Sequence, residues 1–191
     1  MKDYKNLIFN WAEESRKVQE EFINQNYSLI LKSAELTKDV INAGGKLLIF
    51  GNGGSAADSQ HLAAELVNRF KKERKPFPAI ALTTDTSILT AVANDYSFEE
   101  VFEKQIIALG KKGDIALGIS TSGNSPNVIR ALKTASALGL HTIGLTGKTG
   151  GKMADCCEIL IKAPSTDTPR IQECHLLFLH IFAGLVEELL T

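Results

Sequence analysis

Apolar positions along the chain follow two periods, and the switch between them outlines the fold. From about residue 3 to 43 no strand pattern occurs. Leu7, Trp11, Val18 and Phe22 share one helical face, and Ile30, Ala34, Thr37 and Ile41 share another. That spacing predicts two helices, ended by Gly44-Gly45. Beyond them, short apolar runs at 46–50, 79–82, 114–119, 140–145 and 158–162 alternate with helical patterns at roughly 55–70, 86–94, 98–109, 126–138 and 170–190. Apolar runs that alternate with helices read as βαβ units, whose parallel strands are buried on both faces. The expectation is an α/β domain at 44–191, a five-stranded parallel sheet with helices on both faces, preceded by a helical arm at 1–43.

Two of the runs deliver unusual loops. Lys46-Leu47-Leu48-Ile49-Phe50 leads into Gly51-Asn52-Gly53-Gly54-Ser55, and 114–119 leads into Ser120-Thr121-Ser122-Gly123-Asn124-Ser125. A strand that hands a Gly/Ser-rich turn to a helix N-terminus offers unpaired backbone N–H groups to an anion. Hydroxyls add donors for phosphate oxygens, and glycine lets the backbone come close. Each loop alone also reads as ordinary helix capping: Ser55 as an N-cap with Asp58 three residues on, and Ser125 before Pro126 at the first helical position. Two such loops at strand C-termini, where open α/β sheets bind ligands, favour a ligand carrying both a phosphate and a polyol. No GxGxxG fingerprint and no GxxxxGK[ST] P-loop occurs, which disfavours a nucleotide cofactor.

Candidate chemistry sits on two helices. His61 and Glu65 lie at i, i+4 and share a face, where they form a plain polar pair, converge on a metal, or work together in proton transfer. The last helix is apolar nearly all round, so His180 within it is either a satisfied core histidine or a functional one. Arg170, Gln172, Glu173 and His175 form a polar cluster near that helix's start, and Asp167 is placed to cap it.

Charge and cysteine usage narrow the partners. A net charge of −1 gives no electrostatic footprint for nucleic acid. The most basic run, Arg69 to Lys75, reads as a solvated helix C-terminus. Cys156 and Cys157 are adjacent and Cys174 stands alone, a pattern of small apolar residues in a reducing cytoplasm rather than a disulfide framework. Met1 to Lys5 has no apolar signal core, and the stretch from Leu176 to Leu190 is too short to cross a bilayer, so no membrane is expected.

Taken together, Gly51-Asn52-Gly53-Gly54-Ser55, His61, Glu65, Asn94-Asp95, the loop from Gly118 to Ser125, Leu145-Thr146-Gly147-Lys148, Gly150-Gly151-Lys152-Met153 and Arg170-Ile171-Gln172-Glu173 resemble the pattern of phosphoheptose isomerases in the SIS sugar-isomerase superfamily. The resemblance covers essentially the whole chain. It implies aldose–ketose isomerisation of sedoheptulose 7-phosphate to D-glycero-D-manno-heptose 7-phosphate through a cis-enediol(ate), early in bacterial heptose biosynthesis for lipopolysaccharide core or capsule. It implies Glu65 as carbon base and His180 as its acid–base complement. Ser55, Ser120, Thr121, Ser122 and Ser125 would hold the phosphate, and Asn52, Gly53, Gly54, Asn94, Asp95 and Gln172 the sugar, with Glu65 also in reach. Some members bind zinc through residues matching His61, Glu65, Gln172 and His180, and members are typically homotetramers with sites at subunit boundaries. Position 169 is Pro where some members carry an acid. Gln172 and His180 stand about 12 Å apart along a straight helix, so one ion reaches both only by long side chains, an irregular helix start or a second subunit. Two alternatives stay open: a non-catalytic SIS regulator of the replication initiator, whose known example lacks the counterparts of Glu65 and His180, and an isomerase of another sugar phosphate.

Overall fold

The computed structural model describes residues 3–191; Met1 and Lys2, the start of the expected arm, lie outside it. Five parallel strands, β1 (Leu47–Gly51), β2 (Ala79–Ala81), β3 (Ile115–Ile119), β4 (His141–Thr146) and β5 (Ile159–Lys162), form one sheet in the order β2-β1-β3-β4-β5. Side chains alternate between two cores. Leu47, Ile49, Leu117 and Ile119 point to one face, where helices α1 (Tyr4–Asn42), α2 (Gly54–Val67) and α6 (Thr168–Leu190) supply Phe22, Leu62, Phe178 and Phe182. Leu48, Phe50 and Ala116 point to the other, against Phe102 and Ile106 of α4 (Val101–Leu109) and Val128 and Leu132 of α5 (Pro126–Ala137). Helix α3 (Thr86–Asp95) adds Leu89 and Val92 at the edge of that second core. The expected α/β sandwich is present, with helices on both faces.

The first segment differs from expectation. Residues 4–42 form one continuous helix, not two. What resembles a break between two apolar faces is a single stripe interrupted by buried polar residues. Asn26 donates to the carbonyls of Phe22 (2.8 Å) and Lys162 (3.1 Å), Ser33 to Ile30 (2.7 Å) and Thr37 to Ser33 (2.8 Å). Each polar atom is satisfied locally, so the stripe of Phe22, Ile30, Ala34 and Val40 stays buried. No Gly or Pro occurs between 4 and 42 to stop the helix. Its first half carries exposed Ile8, Phe9 and Trp11.

The strand order places the site. The crossover from β1 runs outward to β2, whereas β3 runs the other way to β4, so the chain parts between β1 and β3. A crevice opens there above their C-terminal ends, where Gly51 pairs with Ile119. Both Gly/Ser loops leave the sheet at that point.

Candidate active site

The first loop enters α2 two residues earlier than a Ser55 N-cap would have it. Gly53, with φ 56°, is the N-cap, and Ser55 is the second helical residue, buried at 4% exposure. Asp58 makes no capping-box bond, and its Oδ2 is buried without a partner. Positive φ at Gly53 allows the tighter entry, which removes Ser55 from the capping position and packs it against Gly51 at the end of β1. Ser125 is the N-cap of α5 with Pro126 behind it, as expected, but its hydroxyl pairs with Ser120 Oγ at 2.8 Å rather than with a helix N–H. Ser122 Oγ lies 3.5 Å from Ser120 Oγ and accepts from the Asn124 N–H at 3.1 Å. A cluster of hydroxyls thus crowns β3.

Two contacts weld the loops into one unit. Asn52 and Asn127 exchange a reciprocal amide pair, both bonds 2.9 Å, which ties the first loop to the first turn of α5. The segment 147–153 braces the second loop from behind: Gly147 N–H donates to Thr121 O (2.9 Å), Met153 N–H to Gly123 O (3.0 Å) and Lys152 N–H to Asn124 Oδ1 (3.1 Å). Gly123 and Gly150 approach so closely that a Cβ on Gly123 would enter the Gly150 carbonyl. Asn127 and this brace were not among the residues singled out for the site. The Leu145-Thr146-Gly147-Lys148 and Gly150-Gly151 motifs were the available signal.

The acid–base candidates meet where α2 packs on α6. His61 Nε2 lies 3.0 Å from His180 Nε2 and 3.4 Å from Glu65 Oε1. The two imidazoles meet edge to face at 5.1 Å between centroids, so one Nε2 carries the proton and the other accepts it. His180 is half-buried, because it faces α2 and the strap after it rather than the core. Gln172 stands apart: its amide sits over Gly54, where a Cβ would collide with it, about two helical turns from His61. It hydrogen-bonds to none of the three. Gly54, Asp58, Gln172, Glu173 and Leu176 line a groove of about 410 Å³ beside them. Asn94 and Asp95, at the end of α3, are exposed and bond to each other at 2.8 Å, with no hydrogen bond to either loop.

Burial sorts the remaining titratable groups. The histidine enclosed in α6 is His175, fully buried, with Nε2 3.2 Å from Thr146 O and Nδ1 unpartnered. Burial pushes it down to about 4, against the opposing pull of the Thr146 carbonyl. Asp58 is pushed up to about 6 by burial, with His61 opposing. Asp167 occupies the N-cap of α6 but makes no side-chain bond to it. Arg74, from the basic run expected to be solvated, is buried on Glu187 at 3.2 Å.

Among the described residues no three His, Cys, Asp or Glu side chains form a ready-made metal group. His61, Glu65 and His180 instead make a chain of contacts with His61 in the middle. Their edges of 3.0 and 3.4 Å compare with about 3.3 Å between ligands on a tetrahedral zinc with bonds of about 2.0–2.1 Å. Two of the three edges thus have ligand spacing and the donor atoms are nitrogen and oxygen, while Gln172 does not join them within one chain. No described helix is long and apolar enough to cross a membrane, and the three cysteines are free thiols.

Comparison with known proteins accounts for this arrangement. Residues 10–147 match the SIS domain family model. A phosphoheptose isomerase of Thermodesulfovibrio yellowstonii is 54% identical over 178 residues, 93% of this chain and 89% of the relative. The solved phosphoheptose isomerase of Neisseria gonorrhoeae superposes with a TM-score of 0.92 at 42% identity, covering 97% of this chain and 99% of the other. That of Francisella tularensis gives 0.93 at 37% identity, covering 98% and 100%. At this identity and coverage the chain belongs to the phosphoheptose isomerase family of SIS-domain proteins.

Proposed function

We infer that the chain interconverts sedoheptulose 7-phosphate and D-glycero-D-manno-heptose 7-phosphate. The observation that carries this reading is the convergence of His61, Glu65 and His180 on the α2/α6 seam, His61 and Glu65 standing on the helix that the Gly/Ser loop opens. Ser55, Ser120, Thr121, Ser122 and Ser125 hold the phosphate through hydroxyls and loop N–H groups. Asn52, Gly53, Gly54 and Gln172 receive sugar hydroxyls, and Asn94 and Asp95 are assigned there too, reached through a second subunit or a movement of α3.

Moving a carbonyl from C2 to C1 requires a proton taken from C1 and one returned to C2. Glu65 takes the C1 proton, giving a cis-enediol(ate), and returns it to C2. His180 protonates O2 as the enediol forms and takes the proton from O1 as the aldose carbonyl closes. His61, bonded to His180, fixes its tautomer and ring orientation.

The same three side chains are proposed to hold zinc, which would supply Lewis-acid polarisation of the carbonyl. A nitrogen bound to a metal cannot also exchange a proton, so the zinc response of activity separates the two uses of His180. The apolar stripe exposed on the first half of α1 supports assembly as a homotetramer. A cytoplasmic location, with heptose supplied to bacterial surface glycans, is part of the same proposal.

Turnover of sedoheptulose 7-phosphate by wild type, Glu65→Gln and His180→Gln, each with and without added zinc, tests this reading. Loss of about 10²-fold or more in both variants, with fold and assembly intact, is the expected result. No turnover by folded wild type in either condition overturns the heptose assignment.

A further inference from the structure

After α2 ends at Val67, residues 68–77 fold back across the last turns of α6, held on one carboxylate. Glu187 is 1% exposed and accepts from the N–H groups of Phe70 (3.2 Å), Lys71 (2.9 Å) and Lys72 (2.9 Å) and from Arg74 Nε (3.2 Å). Burial by itself raises this carboxyl, but the three N–H groups and Arg74 hold it below the usual range. Arg74 reaches onward, donating to Leu66 O at 2.8 Å and to Glu65 O at 2.9 Å. A buried ion pair is weak evidence for stability, since an apolar pair often does as well. What this one fixes is geometry.

His180, Gly184 and Glu187 stand at i, i+4 and i+7 on one face of α6. The Phe70 ring lies along that face. It stacks on His180 with centroids 6.0 Å apart and planes 24° apart, and it covers Gly184, where a Cβ would stand 3.3 Å from Phe70 Cε1. The carboxylate at one end of the face therefore holds the ring that walls the imidazole at the other. Through Arg74 it also grips the backbone of Glu65.

We propose that Glu187 is a positioning residue. Its clasp on the 70–74 strap sets the Phe70 ring against His180 and the Arg74 guanidinium on the Glu65 carbonyl, and so aligns the two groups assigned to proton transfer. This rests on the isomerase reading above.

The test compares Phe70→Leu, Phe70→Tyr and Glu187→Gln with wild type by two readouts. The first is the NMR position of the His180 ring protons, which feel the ring current of Phe70 whether or not the protein turns over. The second is kcat and KM for sedoheptulose 7-phosphate. Phe70→Leu and Glu187→Gln are expected to move the His180 resonances and lower kcat about tenfold, with KM within about twofold. Phe70→Tyr, which keeps the stacked ring, retains both. If Glu187→Gln fails to fold, Glu187→Asp, which keeps the charge but shortens its reach, takes its place, and Phe70→Leu tests the ring contact. Unmoved His180 resonances in the folded variants, or moved resonances with unchanged kcat, overturn the proposal. An inactive wild type instead overturns the isomerase reading and the catalytic half of the proposal, and the resonances then decide the geometric half.

Discussion

His175 and His180 lie five residues apart on α6 and meet opposite surroundings. Five residues turn the helix by about 140°, enough to move a side chain from the sheet to the seam with α2. His175 points at the sheet, fully buried, with the Thr146 carbonyl its sole partner. His180 points at His61, half-buried, with Phe70 on its far side. A buried imidazole held to about 4 stays neutral and packs as a core residue. The half-buried imidazole is bonded to His61, which in turn contacts the Glu65 carboxylate. Apolar surroundings in the sequence therefore select the wrong histidine for burial; the partner across the seam is what sets His180 apart.

The largest expected effect breaks that comparison cleanly or confirms it. His180→Gln is expected to lower kcat by about 10²–10⁴-fold, whereas His175→Leu keeps kcat within a few-fold at neutral pH. Steady-state kinetics on both variants checks this. An equal loss in a well-folded His175→Leu chain would erase the distinction between the two histidines.

The next effect concerns stability rather than rate. His175 titrates near 6.5 in the unfolded chain and about 4 in the folded one, so as pH falls the unfolded state takes up the proton first. Stability is fully present above about pH 6.5 and is lost progressively towards pH 4. The loss is on the order of 3 kcal/mol. His175→Leu removes the titrating group, and Thr146 O keeps its bond from Ala163 N–H at 2.8 Å. Urea unfolding at pH 7 and pH 4 is expected to show a smaller acid loss in the variant than in wild type by about that amount. Equal losses in both would place the acid sensitivity elsewhere.

The same contrast explains what the sequence could convey. Period and punctuation made the sheet, its five strands and both Gly/Ser loops legible, because parallel strands buried on both faces leave unbroken apolar runs such as Leu47 to Phe50. They failed in α1, where Asn26 and Ser33 resemble a break in pattern until the carbonyls that satisfy them are seen. They failed again in the basic run, where charge implies solvent but Arg74 is buried on Glu187. At the site, the i, i+4 spacing of His61 and Glu65 was readable from one helix. The approach of His180 depends on how α2 packs on α6, and no local pattern encodes that. Gln172 shows the same limit from the other side: it is near the loops, as expected, but over Gly54 and apart from the three converging side chains.

That last separation gives the smallest and most specific prediction. Gly54 opens α2 with ordinary helical geometry, so alanine is tolerated by the backbone, but its Cβ would displace the Gln172 amide. If Gln172 serves substrate binding from this position, Gly54→Ala is expected to raise KM for sedoheptulose 7-phosphate about threefold to tenfold with kcat nearly unchanged, the mark of binding lost equally in ground and transition states. The His61–His180 contact lies two turns away and is left alone, so the acid–base pair continues to work. A fall in kcat with KM unchanged would instead tie Gln172 to the reacting centre, and would mean that it reaches the His61–Glu65–His180 chain when substrate is bound.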